Sequence, residues 1–190
     1  TGNHIKRTQA YIKRLAEQLR QNSRYVSELT DDFIALLYKS APLHDIGKIG
    51  IPDNILQKEG SLTDDEFRVM KTHTTIGYEV IKNAEKVCGQ PMKFLTVAKE
   101  IAYSHHERWD GEGYPLGLAG EQIPLSARLM AIADVYDALI SKRVYKPAFS
   151  HSDAVNIIVS GKGTQFDPTI IDAFAEITDE LDAIAQEYTN

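Results

Sequence analysis

Apolar residues recur along most of this chain with the three- to four-residue spacing of amphipathic α-helices. The first such stretch runs from about Asn3 to Gln21, and its apolar stripe consists of Ile5, Ile12, Leu15, Ala16 and Leu19. No stretch shows the sustained apolar–polar alternation of a β-strand, and there is no internal repeat or low-complexity linker. The pattern therefore predicts an all-α domain.

Helix-capping residues predict where the remaining helices begin. Further helices are expected from Thr30, from Thr63, from Pro91 to about His106, from about Pro124 to Leu139, from Ser150 to Gly161 and, as a final pair, from Asp167 and Pro168. Two long segments rich in Gly and Pro interrupt this rhythm, 44–60 and 107–124, and both adjoin histidines. Long irregular segments in a compact domain are often functional, so chemistry is expected there.

Composition narrows the class of protein. The chain has 190 residues, 43% of them hydrophobic, which is enough for one domain with a proper core. Its formal net charge is −6 with scattered basic residues, so a nucleic-acid polymer is a poor ligand, whereas a small anion could bind where metal ions supply positive charge. One cysteine and no long apolar run predict a cytoplasmic protein without a membrane span. Because the chain starts at Thr1, without Met, we interpret residues 1–190 as one domain of a larger protein with an upstream receiver or sensory domain.

Histidines and aspartates supply the candidate chemistry. The chain has six histidines, and His44 is followed directly by Asp45 while His105 is followed by His106. Imidazole and carboxylate ligands together suit divalent ions such as Zn, Mn, Fe, Co or Ni. One carboxylate can also bridge two ions about 3.5–4 Å apart, which is the arrangement that activates a water and clamps a phosphodiester. Asp134 is a second candidate carboxylate, because a charge in so apolar a helix needs a compensating cation.

Each candidate also has an ordinary structural interpretation. His4 or His73 alone is more often a solvated or hydrogen-bonded histidine, Asp45 alone could cap a helix, and Asp134 alone could be a buried ion-pair partner. The whole set favours a metal-dependent hydrolase. His151, in the first turn of a capped helix, is interpreted as solvated and outside the site.

Two long motifs connect this set to a known family. The segments His44-Asp45-Ile46-Gly47-Lys48-Ile49-Gly50-Ile51-Pro52 and His105-His106-Glu107-Arg108-Trp109-Asp110-Gly111-Glu112-Gly113-Tyr114-Pro115 resemble the two signatures of bacterial HD-GYP domains. Shorter matches in the same order are Gly2-Asn3-His4, 133–139, 143–146 and 166–168. The resemblance covers nearly the whole chain.

The resemblance implies an HD-superfamily helical bundle that hydrolyses the cyclic dinucleotide cyclic di-GMP to linear pGpG, and in some members onward to GMP. It implies metal ligation by His4, His44, Asp45, His73, His105, His106 and Asp134. It places Lys48, Arg143 and Lys146 on phosphates and Tyr114 beside a guanine, with Asp137 orienting groups near the site. The ordinary interpretation of Arg143 and Lys146 is surface charge. The resemblance also implies that the Gly-Tyr-Pro loop can dock cyclic di-GMP synthases of the GGDEF type.

We expect two metal ions. Asp45 would bridge them, His4, His44 and Asp134 would complete one ion, and His73, His105 and His106 the other. Members of the family with three metals usually carry a Glu four residues before the first ligand histidine, a position that lies ahead of Thr1. Two alternatives stay open, an HD phosphohydrolase that prefers pGpG or another nucleotide, and a regulatory interaction module with weak catalysis.

Overall fold

The protein is built from α-helices joined by turns and loops. The structure, a computed structural model, describes residues 2–141 and 148–188. Within these ranges the helices are α1 (Gly2–Leu19), α2 (Asp31–Ser40), α3 (Asp53–Leu56), α4 (Asp64–Lys71), α5 (His73–Cys88), α6 (Lys93–Ser104), α7 (Leu125–Ile140), α8 (His151–Ser160), α9 (Pro168–Glu176) and α10 (Thr178–Glu187). The described residues form two isolated β-bridges and no β-sheet, so the all-α prediction is confirmed.

Most helix starts lie where the capping residues predicted them. Thr30 accepts a hydrogen bond from the Phe33 amide, and Ser150 accepts one from the Asp153 amide. Thr63 and Glu66 form the expected capping box at the start of α4. The helix expected from Pro91 to about His106 is present as α6, but it is shorter at both ends, from Lys93 to Ser104, so Pro91 is not in its first turn. Pro91 lies in the turn before that helix, and the helix ends just ahead of both adjacent histidines.

The two irregular segments differ in their local structure. Residues 44–60 contain a 3₁₀ turn at Ile46–Gly50 and the short helix α3. Residues 107–124 contain a single described 3₁₀ turn, Gly120–Gln122, and otherwise form a loop. This second segment, residues 107–124, is called the Gly-Tyr-Pro loop below.

Helix α7 lies in the middle of the core. Its side chains Leu129, Met130 and Tyr136 have no measurable exposure, and they belong to one large apolar cluster with residues of α1, α2, α8, α9 and α10. Burying side chains of this size stabilises the fold by about 1.5–3 kcal/mol each. A smaller cluster joins α5 to α6 through Ile81, Leu95, Ala98 and Ala102. The helices that carry the candidate ligands are therefore fixed by tertiary packing.

A close backbone contact fixes the turn at Ile46–Gly50 against α5. A Cβ atom at Gly47 would lie 1.9 Å from the His73 carbonyl oxygen and 2.4 Å from the Gly77 nitrogen. Only glycine allows this approach. The turn that follows Asp45 and the first turn of α5, which starts at His73, therefore hold each other in place.

No helix in the described ranges combines the length and the apolar character that crossing a bilayer requires.

Candidate metal centre

The structure brings all seven predicted metal ligands into one cluster. The ligand atoms form two sets, each with its members within 4.8 Å of one another: one set is His4, His44 and Asp134, and the other is Asp45, His73, His105 and His106. We call the three residues His4, His44 and Asp134 group A, and the three histidines His73, His105 and His106 group B. This division is the one expected from the sequence.

Asp45 lies between the two groups. Its Oδ2 atom is 3.4 Å from His44 Nε2 in group A. Its Oδ1 atom is 3.5 Å from His73 Nε2 and 3.9 Å from His105 Nε2 in group B. Each carboxylate oxygen therefore faces a different group, which is the geometry that a bridging ligand requires.

Hydrogen bonds from the opposite ring nitrogens fix the orientation of the histidines. The Nδ1 atoms of His44, His73 and His105 lie 2.8, 2.7 and 2.9 Å from the backbone carbonyl oxygens of Ala41, Met70 and Ile101, respectively. A carbonyl can only accept, so each Nδ1 carries the proton and each Nε2 presents a lone pair toward the cluster. This is how proteins hold imidazole rings ready for a metal ion.

The cluster leaves buried polar atoms without partners. Among the described residues, the Nε2 atoms of His44, His73 and His105 and the Oδ1 atom of Asp45 are buried and make no hydrogen bond. Buried polar atoms are nearly always satisfied, because leaving one unpaired costs about 1–3 kcal/mol. Three lone pairs and a carboxylate oxygen that converge without a donor fit a bound cation. The residues therefore suit the divalent metal that the family implies.

The electrostatics of group B and of Asp45 agree with metal ligation. Burial lowers the pKa of His73 and of His105, and it lowers the pKa of His106 to about 3, so group B is neutral at physiological pH. Burial opposes ionisation of Asp45, yet its contacts with His44 and the charge of Lys48 hold its pKa well below the usual value. His44 differs: burial lowers its pKa, but Asp45 and Asp134 more than offset this and raise it, so a metal ion at His44 competes with a proton. Neutral imidazole and ionised carboxylate are the forms that bind metal.

A cavity of about 630 Å³ opens onto the cluster. Lys48 lies in its wall with Nζ 2.5 Å from Asp45 Oδ2, and Tyr114 of the Gly-Tyr-Pro loop also lines it. The Tyr114 ring is stacked on His106 with the centroids 4.8 Å apart. Both predicted substrate contacts within the described residues therefore line the cavity. The other two, Arg143 and Lys146, lie outside the described residues.

Asp137 supports the cluster from one turn further along α7. Its side chain is 1% exposed, and its Oδ2 accepts a hydrogen bond from His4 Nδ1 at 2.7 Å. Arg7 donates to both carboxylate oxygens of Asp137, from Nε at 2.5 Å and from Nη2 at 3.0 Å. Arg7 was not among the site residues predicted from the sequence. The available signal was its spacing, since a residue three positions after His4 lies on the same face of α1.

Glu107 fixes the Gly-Tyr-Pro loop. Its buried carboxylate accepts hydrogen bonds from the Leu116 and Leu118 amides at 2.7 and 3.0 Å. Gly113 packs so closely that a Cβ atom there would lie 2.4 Å from the Arg108 nitrogen. The loop is therefore folded onto its own start, which holds Tyr114 against His106.

The interpretation of His151 as solvated was wrong. Its Nδ1 atom lies 2.8 Å from the hydroxyl of Tyr136, a fully buried residue of α7. His151 packs edge-on against that ring, with the centroids 5.9 Å apart. It thus tethers the start of α8 to the core, and it belongs to neither ligand group.

Comparisons with known proteins agree with this fold and this cluster. A family model described as "HD domain" matches residues 3–170. The chain belongs to the HD domain family. A "Cyclic di-GMP phosphodiesterase" of Vibrio cholerae is 58% identical over 188 residues, which are 99% of this chain and 38% of that protein. A "3'3'-cGAMP-specific phosphodiesterase 2" of the same organism is 38% identical over 184 residues, which are 97% of this chain and 33% of that protein.

A solved structure shows the same fold at low sequence identity. It is a cyclic GMP-AMP-specific phosphodiesterase of V. cholerae with a TM-score of 0.66 and 17% identity, and the match covers 99% of this chain and 46% of that one. The chain spans well under half the length of both curated relatives. The family is therefore established for the residues that match the family model.

Proposed function

We propose that this chain is a metal-dependent phosphodiesterase domain that hydrolyses cyclic di-GMP to linear pGpG in bacterial second-messenger signalling in the cytoplasm. The observation that carries the proposal is Asp45, whose two carboxylate oxygens face two separate sets of metal-binding side chains. In many phosphodiesterases and nucleases, two bridged metal ions stabilise the attacking and leaving oxygens of an in-line displacement at phosphorus. The 58% identity to a protein named for this activity supports the choice of substrate.

The chain would supply the metal ligands and, through Lys48, a positive charge in addition to that of the ions. Group A and Asp45 would hold one divalent ion and group B and Asp45 another, with Fe, Mn, Ni, Co or Zn as candidates. Such ions activate a water as nucleophile and stabilise the charge that develops on the phosphoryl oxygens. Lys48 lies in the same cavity, so its ammonium can donate to a non-bridging phosphate oxygen. Asp137 keeps the proton of His4 on Nδ1, away from the cluster.

The number of ions is a separate proposal. Group A and group B, sharing Asp45, give four protein donors for each of two ions and leave open positions for water and phosphate. Anomalous scattering from metal-loaded crystals tests this. We expect two fully occupied peaks that both contact Asp45. A third fully occupied peak, or two peaks that Asp45 does not contact, would show that the ligands have been assigned incorrectly.

The activity is tested by chromatographic product analysis. Purified protein loaded with each candidate metal should convert cyclic di-GMP to pGpG, and exhaustive chelation should abolish the conversion. Linear pGpG, 3'3'-cGAMP and a chromogenic phosphodiester are run side by side. Faster turnover of pGpG would favour the nucleotide phosphohydrolase, and faster turnover of 3'3'-cGAMP would favour the specificity named for the relative that is 38% identical. Absence of turnover of every substrate by the metal-loaded protein would favour a regulatory module, whose docking surface for GGDEF synthases would be the Gly-Tyr-Pro loop.

A further inference from the structure

Helix α4 presents apolar side chains without burying any of them. None of its residues is buried, and Phe67 and Val69 are 45% and 37% exposed. The side chains of Phe67, Met70 and Lys71 share one face, because residues three and four positions apart are neighbours on a helix. Met70 lines the metal cavity, whereas Phe67 and Lys71 line a second one. The face of α4 that looks toward the metal centre is therefore available to a ligand.

The second cavity adjoins the metal cavity. Its volume is about 300 Å³, and the two cavities share His106, Tyr114 and Asp134 in their walls. This volume is at the lower end of the range for small-molecule sites, about 300–1,000 Å³, so it suits one nucleobase better than a whole dinucleotide. A substrate with its phosphate at the metal centre would have a base within reach of this cavity.

Aromatic rings and two cations, Lys71 and Arg108, line the second cavity, and Arg108 is paired with Asp110. Phe67 and Tyr114 pack edge to face with their ring centroids 6.2 Å apart. The Lys71 ammonium lies 5.0 Å from the Phe67 centroid and 5.6 Å from the Tyr114 centroid. No carboxylate pairs with Lys71 within residues 2–141 and 148–188, whereas Lys48 pairs with Asp45. The donor hydrogens of Lys71 are therefore free for a ligand.

The family resemblance places a guanine beside Tyr114, which lines the second cavity, and we propose that Lys71 makes this cavity select guanine over adenine. This rests on the proposed function, because it assumes a purine nucleotide at the metal centre. Guanine presents two adjacent acceptors, O6 and N7, where adenine presents an amino donor beside N7. An ammonium group can only donate, so it pairs with the guanine edge and meets the adenine amino group unfavourably. Phe67 and Tyr114 would supply stacking, which tolerates either base.

The test measures binding of 5'-GMP and 5'-AMP to the metal-loaded protein by calorimetry, which requires no turnover. Wild type should bind GMP more tightly than AMP, and Lys71→Met should reduce this preference by about ten- to a hundredfold. Lys82→Met is the matched control. Lys82 also lies over a tyrosine ring, 5.4 Å from the centroid of Tyr78, but it lines a different cavity, so the preference should not change.

A second variant separates stacking from base selection. Phe67→Ala removes a half-exposed ring, so the fold should persist, and affinity for GMP and AMP should fall by the same factor. Equal weakening of GMP, AMP and inorganic phosphate by Lys71→Met would reveal a simple phosphate contact and overturn the proposal, as would a wild type without a guanine preference. If Lys71→Met abolishes the preference for GMP but wild type does not hydrolyse cyclic di-GMP, the role of Lys71 is supported and the proposed substrate is refuted.

Discussion

Replacing Arg7 with methionine tests how the His4 side of the metal centre is held. Arg7 donates twice to Asp137, and Asp137 in turn fixes the proton on His4 Nδ1. Methionine keeps most of the side-chain volume but removes every donor. The carboxylate of Asp137, which is 1% exposed, then keeps its hydrogen bond with His4 but loses the guanidinium of Arg7.

The size of the effect follows from burial. Removing one partner of a buried ion pair typically costs about 3–5 kcal/mol. Arg7 itself is 14% exposed and the contact with His4 survives, so we expect the lower end, about 3 kcal/mol, in the free energy of unfolding of the metal-free protein. Loss of such a supporting contact typically weakens a metal site by about 10–100-fold. Group A should therefore lose its ion on dialysis before group B does.

Urea unfolding and metal analysis after dialysis measure the two effects. Arg14→Met is the matched control, because Arg14 on the same helix pairs with Glu180, which is 54% exposed. Such a surface pair contributes about 0–1 kcal/mol, and the control should retain both ions. Arg7→Lys, which keeps the charge but not the two-pronged contact, should fall between wild type and Arg7→Met. If Arg7→Met unfolds like the control and retains its full metal content, Arg7 does not support the metal centre.

Three further changes test other parts of the site. Asp45→Ala should abolish turnover and metal binding while circular dichroism shows the helices intact; near-native turnover would refute the bridging role. Arg143→Ala and Lys146→Ala should each weaken substrate binding by about 1.5–3 kcal/mol with metal content unchanged. Loss of metal as their main effect would mean that they have been given the wrong role. Gly47→Ala would place a Cβ atom 1.9 Å from the His73 carbonyl oxygen, so we expect destabilisation of at least about 1–3 kcal/mol in thermal unfolding; an unchanged melting temperature would contradict the close packing.

Local signals in the sequence predicted most of the fold. The capping residues Thr63 and Ser150 marked helix starts correctly because a capping bond joins residues only three positions apart. The same local reasoning failed for His151, whose partner Tyr136 comes from another helix. Nothing near His151 in the sequence indicates a buried hydroxyl. Contacts between distant residues decide such cases, and periodicity carries no information about them.

In the candidate site, too, local sequence signals predicted some residues, whereas others depend on contacts between distant residues. The seven expected ligands lie together in the structure, and the pairs His44-Asp45 and His105-His106 indicated much of this in advance. For Arg7 the sequence offered only its spacing from His4, because its partner Asp137 is 130 positions away in the chain. Lys71 and Phe67 were not predicted for a related reason. Their proposed role depends on a cavity that α4 and the Gly-Tyr-Pro loop line together.

The hydrogen bonds that orient the ligand histidines differ in what mutation can do to them. His44, His73 and His105 are held by main-chain carbonyls, which every residue type provides, so substitutions at Ala41, Met70 or Ile101 leave the acceptor in place. His4 alone among these four depends on a side chain, the carboxylate of Asp137. During sequence drift, His44, His73 and His105 would keep their ring orientations through most substitutions of their partners, whereas the orientation of His4 depends on a contact that a single codon change can remove. Divergence in metal affinity between descendants of this domain should therefore begin at His4.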